Sequence, residues 1–380
     1  MILTQCAVCA TDLGLTRGKK CGRCSTRYCG AACQVQHWKE GGHDQLCKTI
    51  KKAGGAEQYN ANQKYTEAVS VAVEKCAEDT KGQTCYICTQ ALHWKTKEGL
   101  VRGCSCRGTA GFAHVSCLAE EAKILVAEAV ENNLDLKVLD ERWLRWFACS
   151  LCEQEYQGVV CSALGWACWK TYVGRPEVDT SRINAMTAVG NGLRSAGQNR
   201  ERLGVLETQL ALMGRVGVNP QAVLATQGSI SNCLEDLGRT EESLKISVQI
   251  LSSMKALQGP RHRNTIICAG NLAISLQDSK RNAEALSLAA EYLPISESAL
   301  GPNDVATLRL RKGYLRARTF DRSVSLDEMR GIAASFEDLY RTALRVLGGQ
   351  HPITVQCKED IAVCRTGIAR TEARMAALKL

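Results

Sequence analysis

Aromatic side chains are scarce in this chain: Phe, Trp and Tyr together make 5% of 380 residues, with four Phe among them. A core short of large rings is filled by Leu, Ala, Val and Ile, and that suits many short helices better than one broad sheet. Long apolar runs are also lacking. The longest, Val159 to Trp169, is roughly half of the ~18 residues a membrane span needs, so no spanning helix is expected. Cys6 comes too early for the charged and apolar regions of a secretory leader to precede it, so the expected compartment is a reducing one, cytoplasmic or nuclear. There is no glycine-rich nucleotide loop, catalytic triad or paired-carboxylate site, and no catalytic residue is assigned. With 23% charged and 45% apolar residues the chain is still globular, with room for about two to four domains.

Cysteine is what the chain has in excess, 21 residues in all. Fourteen of them and two His fall in the first 152 residues as ordered pairs. The first set is Cys6-x2-Cys9, Cys21-x2-Cys24, Cys29-x3-Cys33 and His43-x3-Cys47. The second is Cys85-x2-Cys88, Cys104-x-Cys106, His114-x2-Cys117 and Cys149-x2-Cys152. Thiolates two or three residues apart grip one tetrahedral ion from a single turn, and two such pairs close a structural site with no open position for chemistry. These sixteen candidates predict about four zinc ions, and the interspersed His argue against a disulfide scaffold. Zinc also changes the charge. Fourteen ligating thiolates against four dications take the formal +9 to about +3, too mild to argue for a nucleic-acid partner. The basic clusters Lys19, Lys20, Arg23, Arg27 and Lys48, Lys51, Lys52 read as solvated faces. Cys76, Cys161, Cys168, Cys233, Cys268, Cys357 and Cys364 read as small buried thiols rather than a further metal site.

The stretch Arg27-Tyr28-Cys29-Gly30-Ala31-Ala32-Cys33-Gln34, followed by His37-Trp38, resembles the MYND zinc finger. That resemblance implies interleaved ligation: one ion on Cys6, Cys9, Cys29 and Cys33, another on Cys21, Cys24, His43 and Cys47. It also implies docking of short proline-containing peptides or partner domains, against the alternative of a zinc-pinned structural cap. Four residues separate Trp38 from His43 where the family usually has two, and Gly41-Gly42 would let the chain bulge there. His37 competes with His43 as a ligand, but His43-x3-Cys47 fits one helical turn. In the second set, Cys104-Ser105-Cys106, seven residues, then His114-Val115-Ser116-Cys117-Leu118, with Arg107-Gly108-Thr109 and Phe112, resembles the RING-CH (RING-variant) finger. A PHD finger shares the ligand order but normally has only four or five residues before its His. The resemblance implies one ion on Cys85, Cys88, His114 and Cys117, the other on Cys104, Cys106, Cys149 and Cys152. It further implies recruitment of a ubiquitin-conjugating enzyme in a shallow apolar groove, where Ile87 is placed. Three features depart from active ligases: Glu121 lies where a groove Trp would follow Cys117, Glu153 follows the last ligand where Arg or Lys is frequent, and the insert Leu118 to Phe147 is long. Trp146 or Trp143 is a candidate replacement for the groove aromatic.

Downstream, a pattern repeats with a period of about 42. Gly228, Ile230, Leu234, Glu242 and Leu244 recur as Gly270, Leu272, Leu276, Glu284 and Leu286; Gly259-Pro260 with Thr265 recurs as Gly301-Pro302 with Thr307, and Gly348, His351-Pro352 and Thr354 repeat the connector. An earlier, degraded copy holds Leu193, Gly197, Glu201 and Leu203. Each copy reads as two amphipathic helices, with Gly228 and Gly270 expected at close crossings. The array resembles tetratricopeptide repeats of the kinesin-light-chain type, which bind extended peptides or helices on a concave face.

The expected fold is therefore mainly α: two small zinc-stabilised, cross-braced modules of irregular α+β structure followed by an α-solenoid of helical hairpins. Expected boundaries are 1–50 for the MYND-like finger, 51–82 for a connecting helix, 83–160 for the RING-CH-like finger with its helical insert 118–147, and 161–380 for about four repeats. The function implied is a zinc-binding protein-interaction protein acting as a RING-type ubiquitin ligase, with clients on the MYND-like finger and the repeats. The alternative is a non-catalytic scaffold. A methyltransferase joining a MYND finger to helical repeats is excluded, since the second finger fills the interval where its SET domain would lie.

Overall fold

The computed structural model describes residues 4–15, 17–321, 324–349 and 351–377. Among them are fifteen α-helices and one two-stranded hairpin. The fold is mainly α, with small irregular modules at the N-terminal end and helical hairpins after them. The chain divides into two compact units between Asn219 and Pro220.

The first unit opens with β1 (Lys19–Lys20) and β2 (Arg27–Tyr28), antiparallel with Lys19 opposite Tyr28, then α1 (Ala31–Lys39) and α2 (His43–Lys52). A long α3 (Ala56–Cys76) follows. After a stretch without regular structure come α4 (Val115–Glu131), α5 (Leu136–Trp143) and a 3-10 turn (Leu144–Trp146). Next are α6 (Gly158–Tyr172), α7 (Thr180–Ser195) and α8 (Asn199–Val216). The centre of this unit is α6, which packs against α3, α4 and α7. Val160, Ala163, Leu164, Trp166, Cys168 and Trp169 are all buried on it. A helix apolar all round is what a central position demands. The apolar run too short to span a membrane is this hub.

Two glycines let α6 and α7 approach. A Cβ on Gly165 would lie 2.5 Å from the Ala188 carbonyl oxygen, and one on Gly192 would lie 2.9 Å from the Ser162 Cα. Gly228 and Gly270, expected from the repeat pattern to mark close crossings, do not. At Gly228 a Cβ would meet nothing within 4 Å, and at Gly270 it would touch Leu310 Cγ at an ordinary 3.6 Å.

The second unit is a run of antiparallel neighbours: α9 (Pro220–Asp236), α10 (Thr240–Gln258), α11 (Arg263–Asp278), α12 (Asn282–Leu300), α13 (Val305–Thr319), α14 (Leu326–Leu347) and α15 (Pro352–Ala377). The recurring connector has a physical basis. Gly259, Gly301 and Gly348 end α10, α12 and α14 with φ of 81°, 91° and 85°, a region open to glycine at low cost. Three residues later His262, Asp304 and His351 each accept a hydrogen bond from the N–H two positions on, capping the next helix. Thr265, Thr307 and Thr354 are then buried inside the first turn. Gly238 turns the chain between α9 and α10 at φ 74°, and Lys280 takes the same conformation, φ 61°, at the equivalent place between α11 and α12.

The leftover cysteines are free thiols, with Cys76, Cys168, Cys233, Cys357 and Cys364 buried and Cys161 and Cys268 half-buried.

Because the neighbour at Gly165 is backbone and cannot rotate away, Gly165→Ala should destabilise the first unit by about 1–3 kcal/mol. Gly228→Ala should be neutral or slightly stabilising through helix propensity. Urea denaturation midpoints of the two zinc-loaded variants check this.

Candidate metal centres

Four tight turns carry the Cys-x2-Cys pairs. In each, the N–H of the first Cys bonds to the carbonyl five residues on, as in Cys6 to Thr11 (2.9 Å), Cys21 to Thr26 (2.8 Å), Cys85 to Gln90 (3.0 Å) and Cys149 to Gln154 (3.0 Å). The residue after the second Cys is left-handed: Ala10 (φ 57°), Ser25 (63°), Thr89 (61°) and Glu153 (56°). Non-glycine residues rarely adopt this backbone, so four at matching places mark a shared constraint. The constraint is to aim two sulfurs at one point. Backbone N–H groups reach those sulfurs too, Ile87 to Cys85 Sγ and Leu151 to Cys149 Sγ, both at 3.4 Å.

Helices position most of the other donors, while Cys104 and Cys106 lie in the irregular stretch before α4. In the first finger Cys29 precedes α1 and Cys33 lies on it, while α2 begins at His43 and brings Cys47 round one turn later. The turn Glu40-Gly41-Gly42 makes this possible. Gly42 has φ 67°, and a Cβ on Gly41 would lie 2.3 Å from the His37 ring. In the second finger His114 caps α4 and Cys117 sits in its first turn.

The chain thereby gathers four groups: Cys6, Cys9, Cys29 and Cys33; Cys21, Cys24, His43 and Cys47; Cys85, Cys88, His114 and Cys117; Cys104, Cys106, Cys149 and Cys152. Within each, all ligand atoms lie within 4.8 Å of one another. Sulfur–sulfur separations include 3.4 Å for Cys29–Cys33, 3.5 Å for Cys9–Cys29, and 3.8 Å for Cys21–Cys47 and for Cys106–Cys149. A tetrahedral zinc with Zn–S near 2.3 Å requires a sulfur–sulfur edge of about 3.8 Å, whereas a disulfide would need about 2.0 Å. The imidazoles obey the same geometry. His43 Nε2 is 3.4 Å from Cys24 Sγ, and His114 Nδ1 is 3.3 Å from Cys88 Sγ. The far nitrogen of His114 faces the Ala91 carbonyl at 3.4 Å, as metal-binding imidazoles commonly do. His37 instead pairs through Nδ1 with the Tyr28 hydroxyl at 3.0 Å and stacks on the His43 ring. Gly111 leaves room for the fourth group; a Cβ there would lie 2.6 Å from Cys106 Cβ.

Electrostatics agree with the donor chemistry. Burial raises the Cys6 thiol, yet N–H groups of Cys9, Cys29 and Val8 outweigh it and bring it down to about 6. Burial likewise opposes, and the His43 ring and two backbone N–H groups outweigh, in Cys21, again about 6. The last thiols to ionise pay for their neighbours: hydrogen bonding to Cys29 pushes Cys33 up to about 12, and burial followed by Cys24 and Cys21 pushes Cys47 up to about 12. Thiolates packed this closely repel unless a cation sits among them. Two all-cysteine sets, and two in which one histidine joins three cysteines, fit about four zinc ions, each closed to substrate.

The surroundings correct two expectations. Arg27 is not part of a solvated basic face: it is buried, donating to the carbonyls of Gly14 (2.7 Å) and Arg17 (2.5 Å) and tying down the first loop. Trp146, a candidate partner contact, is 2% exposed and packs edge-on against Tyr172 of α6; Trp143 lies against the same ring at 5.2 Å. Trp146 belongs to the core and Trp143, half-buried, packs beside it, because the helical insert folds back on α6. Ile87 stands at the tip of its turn, 39% exposed. Leu151, at the same place between Cys149 and Cys152 and 52% exposed, was missed, although matching positions in two Cys-x2-Cys turns could have pointed to it. The two turns are linked through the Tyr86 hydroxyl, which lies 3.1 Å from Ser150 Oγ and 3.4 Å from Glu121.

Four zinc ions per chain are expected by native mass spectrometry. His43→Ala should lose one of them and His37→Ala none.

Comparison with known proteins places the regions. Residues 6–47 match the family model of the MYND finger, 85–128 that of the RING-variant domain, and 222–316 that of the tetratricopeptide repeat. Among solved structures, the nearly identical TPR-like repeats of a kinesin light chain candidate from Podosopora anserina align at 14% identity over 62% of this chain and 98% of that one, with a TM-score of 0.39. BtubC (BKLC) from P. vanneervenii aligns at 10% identity over 67% and 92%, with a TM-score of 0.34. No curated protein matches significantly. Among the described residues no helix is long and apolar enough to cross a membrane. The chain is a zinc-finger and helical-repeat protein whose modules serve protein interaction.

Proposed function

We propose that the second finger recruits a ubiquitin-charged conjugating enzyme while the first finger and the repeats hold clients, making the chain a RING-type ubiquitin ligase. In this reading the sixteen clustered Cys and His are the zinc ligands. The modules are 1–50, 51–82, 83–160 and 161–380, and the protein works in the cytosol or nucleus. The observation that carries the reading is the pair of exposed aliphatic residues, Ile87 and Leu151, at matching places of two turns that the Tyr86–Ser150 hydrogen bond links. Closed zinc sites provide no nucleophile, so the contribution to transfer is positioning of the thioester. Peptide clients fall to the helical repeats, and proline-containing segments to the MYND finger.

Glu153 and Glu121 favour a second reading, a non-catalytic scaffold. Glu153 is an exposed acid where a cation would help hold ubiquitin, and Glu121 places a carboxylate at the Tyr86 hydroxyl that links the two turns.

Single-turnover discharge of ubiquitin from a panel of charged conjugating enzymes separates the two. The ligase reading expects acceleration by the zinc-loaded protein, reduced about tenfold or more in Ile87→Ala and Leu151→Ala with four zinc ions retained. No acceleration across the panel from fully loaded protein overturns it in favour of the scaffold.

A further inference from the structure

One turn without cysteine repeats the backbone of the metal-binding turns. The His93 N–H bonds to the Glu98 carbonyl at 3.0 Å, the Lys97 N–H bonds back to the His93 carbonyl at 2.9 Å, and Lys97 is left-handed at φ 60°. Cys85 to Gln90 shows the same pattern, with Thr89 bonding back to Cys85 at 2.8 Å and φ 61°. His93 and Thr96 stand where the two cysteines would, and a side-chain lock takes the place of an ion. Thr96 offers its hydroxyl (2.8 Å) and its N–H (3.1 Å) to His93 Nδ1. The His93 ring is buried and packs on the ring of His114, 5.3 Å between centroids. Glu98, the last residue of the turn, is held in place by the N–H and hydroxyl of Ser116 at 2.7 and 2.9 Å. So many bonds over-determine a strained turn and make it stiff.

What this stiff turn displays is a tryptophan. Trp94 is 67% exposed, in a chain whose Trp146, Trp166 and Trp169 are all buried. Trp94 and Lys95 border a cleft of about 750 Å³ that Tyr65, Lys123 and Lys170 also line. Lys170 is half-buried with its ammonium 4.1 Å from the centre of the Tyr65 ring. Neither Lys95 nor Lys170 has an ion-pair partner among the described residues, and Lys123 pairs only with Glu120, at 3.1 Å. The nearby Glu98 is already engaged by the start of α4. The lining sets Lys95, Lys123 and Lys170 against one carboxylate, Glu120, so the cleft is net positive, and it is edged by a preorganised aromatic anchor, the combination that concentrates binding energy at interfaces.

We infer that this cleft docks an acidic peptide segment carrying a large apolar side chain: the apolar group packs on Trp94, and the carboxylates meet Lys95 and Lys170. A single-stranded nucleic acid would want several stacking rings and a row of cations along a backbone track; here one exposed indole stands beside a compact concavity, which favours a peptide. The site is separate from the Ile87–Leu151 tips and does not rest on ligase activity.

The test is a random peptide library panned against the zinc-loaded full chain, with the Trp94→Ala protein as counter-target. The enriched peptides should hold several Asp or Glu next to Leu, Phe or Trp. A synthetic copy should bind the unmodified chain, lose about tenfold or more in affinity to Trp94→Ala and to Lys170→Gln, and weaken as salt rises. Trp38→Ala, which changes an exposed indole on the other finger, should leave binding unchanged. Zinc content verifies that each variant is intact. The inference is overturned if no peptide depends on Trp94, or if the dependent peptides lack acidic residues. It is equally overturned if the Trp94-dependent binder is a single-stranded RNA oligonucleotide or an anionic phosphatidylserine vesicle rather than any peptide.

Discussion

Four sets of donor atoms, each set held within 4.8 Å and made mostly of sulfurs that repel as thiolates, are a structure only while a dication stands at the centre of each. Everything else in the fingers follows from that requirement. Modules this small bury too little apolar surface to fold alone, and structural zinc sites contribute on the order of 10 kcal/mol each. That energy sustains the left-handed Ala10, Ser25, Thr89 and Glu153, which would otherwise be unfavourable. Because the Cys and His pairs alternate between two groups, an ion in each group would tie distant segments, and loss of one would loosen the whole finger.

The fingers are not appended to the helices; they grow into them. The N–H that begins α3 bonds to the carbonyl of Cys24, at 2.9 Å, and α4 begins directly after His114 of the third donor group. Both helices then pack on α6. Near the fourth donor group the Gln157 N–H reaches the Gly103 carbonyl at 2.7 Å, and a Cβ on Gly103 would collide with Val160. The Arg182–Glu57 ion pair, 3.0 Å, joins the starts of α7 and α3. Since one side of that pair is partly exposed, its worth is geometric more than energetic. In a protein whose zinc sites are closed, rigid placement of docking surfaces is the main physical resource for function, and this unit supplies it.

The second unit works differently. Its helices are held by repeated local devices: a positive-φ glycine, a side-chain cap and a buried threonine at the connectors that follow α10, α12 and α14. The first connector and its copies differ in the cap residue, His262, Asp304 and His351, but each has an acceptor at the same place. Repetition of the device, not of the residue, keeps the array regular.

The metal groups were legible in the sequence because zinc chemistry demands specific residue types at short spacings, and the repeats because their connectors recur with a fixed period. The mainly helical class was legible from a core poor in aromatics. Contacts between segments far apart in the chain were not. Nothing in the spacing of Trp143 and Trp146 says that Tyr172 waits to cover them, and nothing in the basic string around Arg27 says that carbonyls of the first loop surround its guanidinium. The stiff turn at His93 was invisible for a related reason: its backbone is specified by hydrogen bonds that His and Thr satisfy as well as a metal does, so no cysteine marks it. Donor identity and period are properties of the sequence alone. Which glycines let helices touch, which tryptophan is covered and which is displayed depend on what lies opposite, and that is decided only by the packed chain.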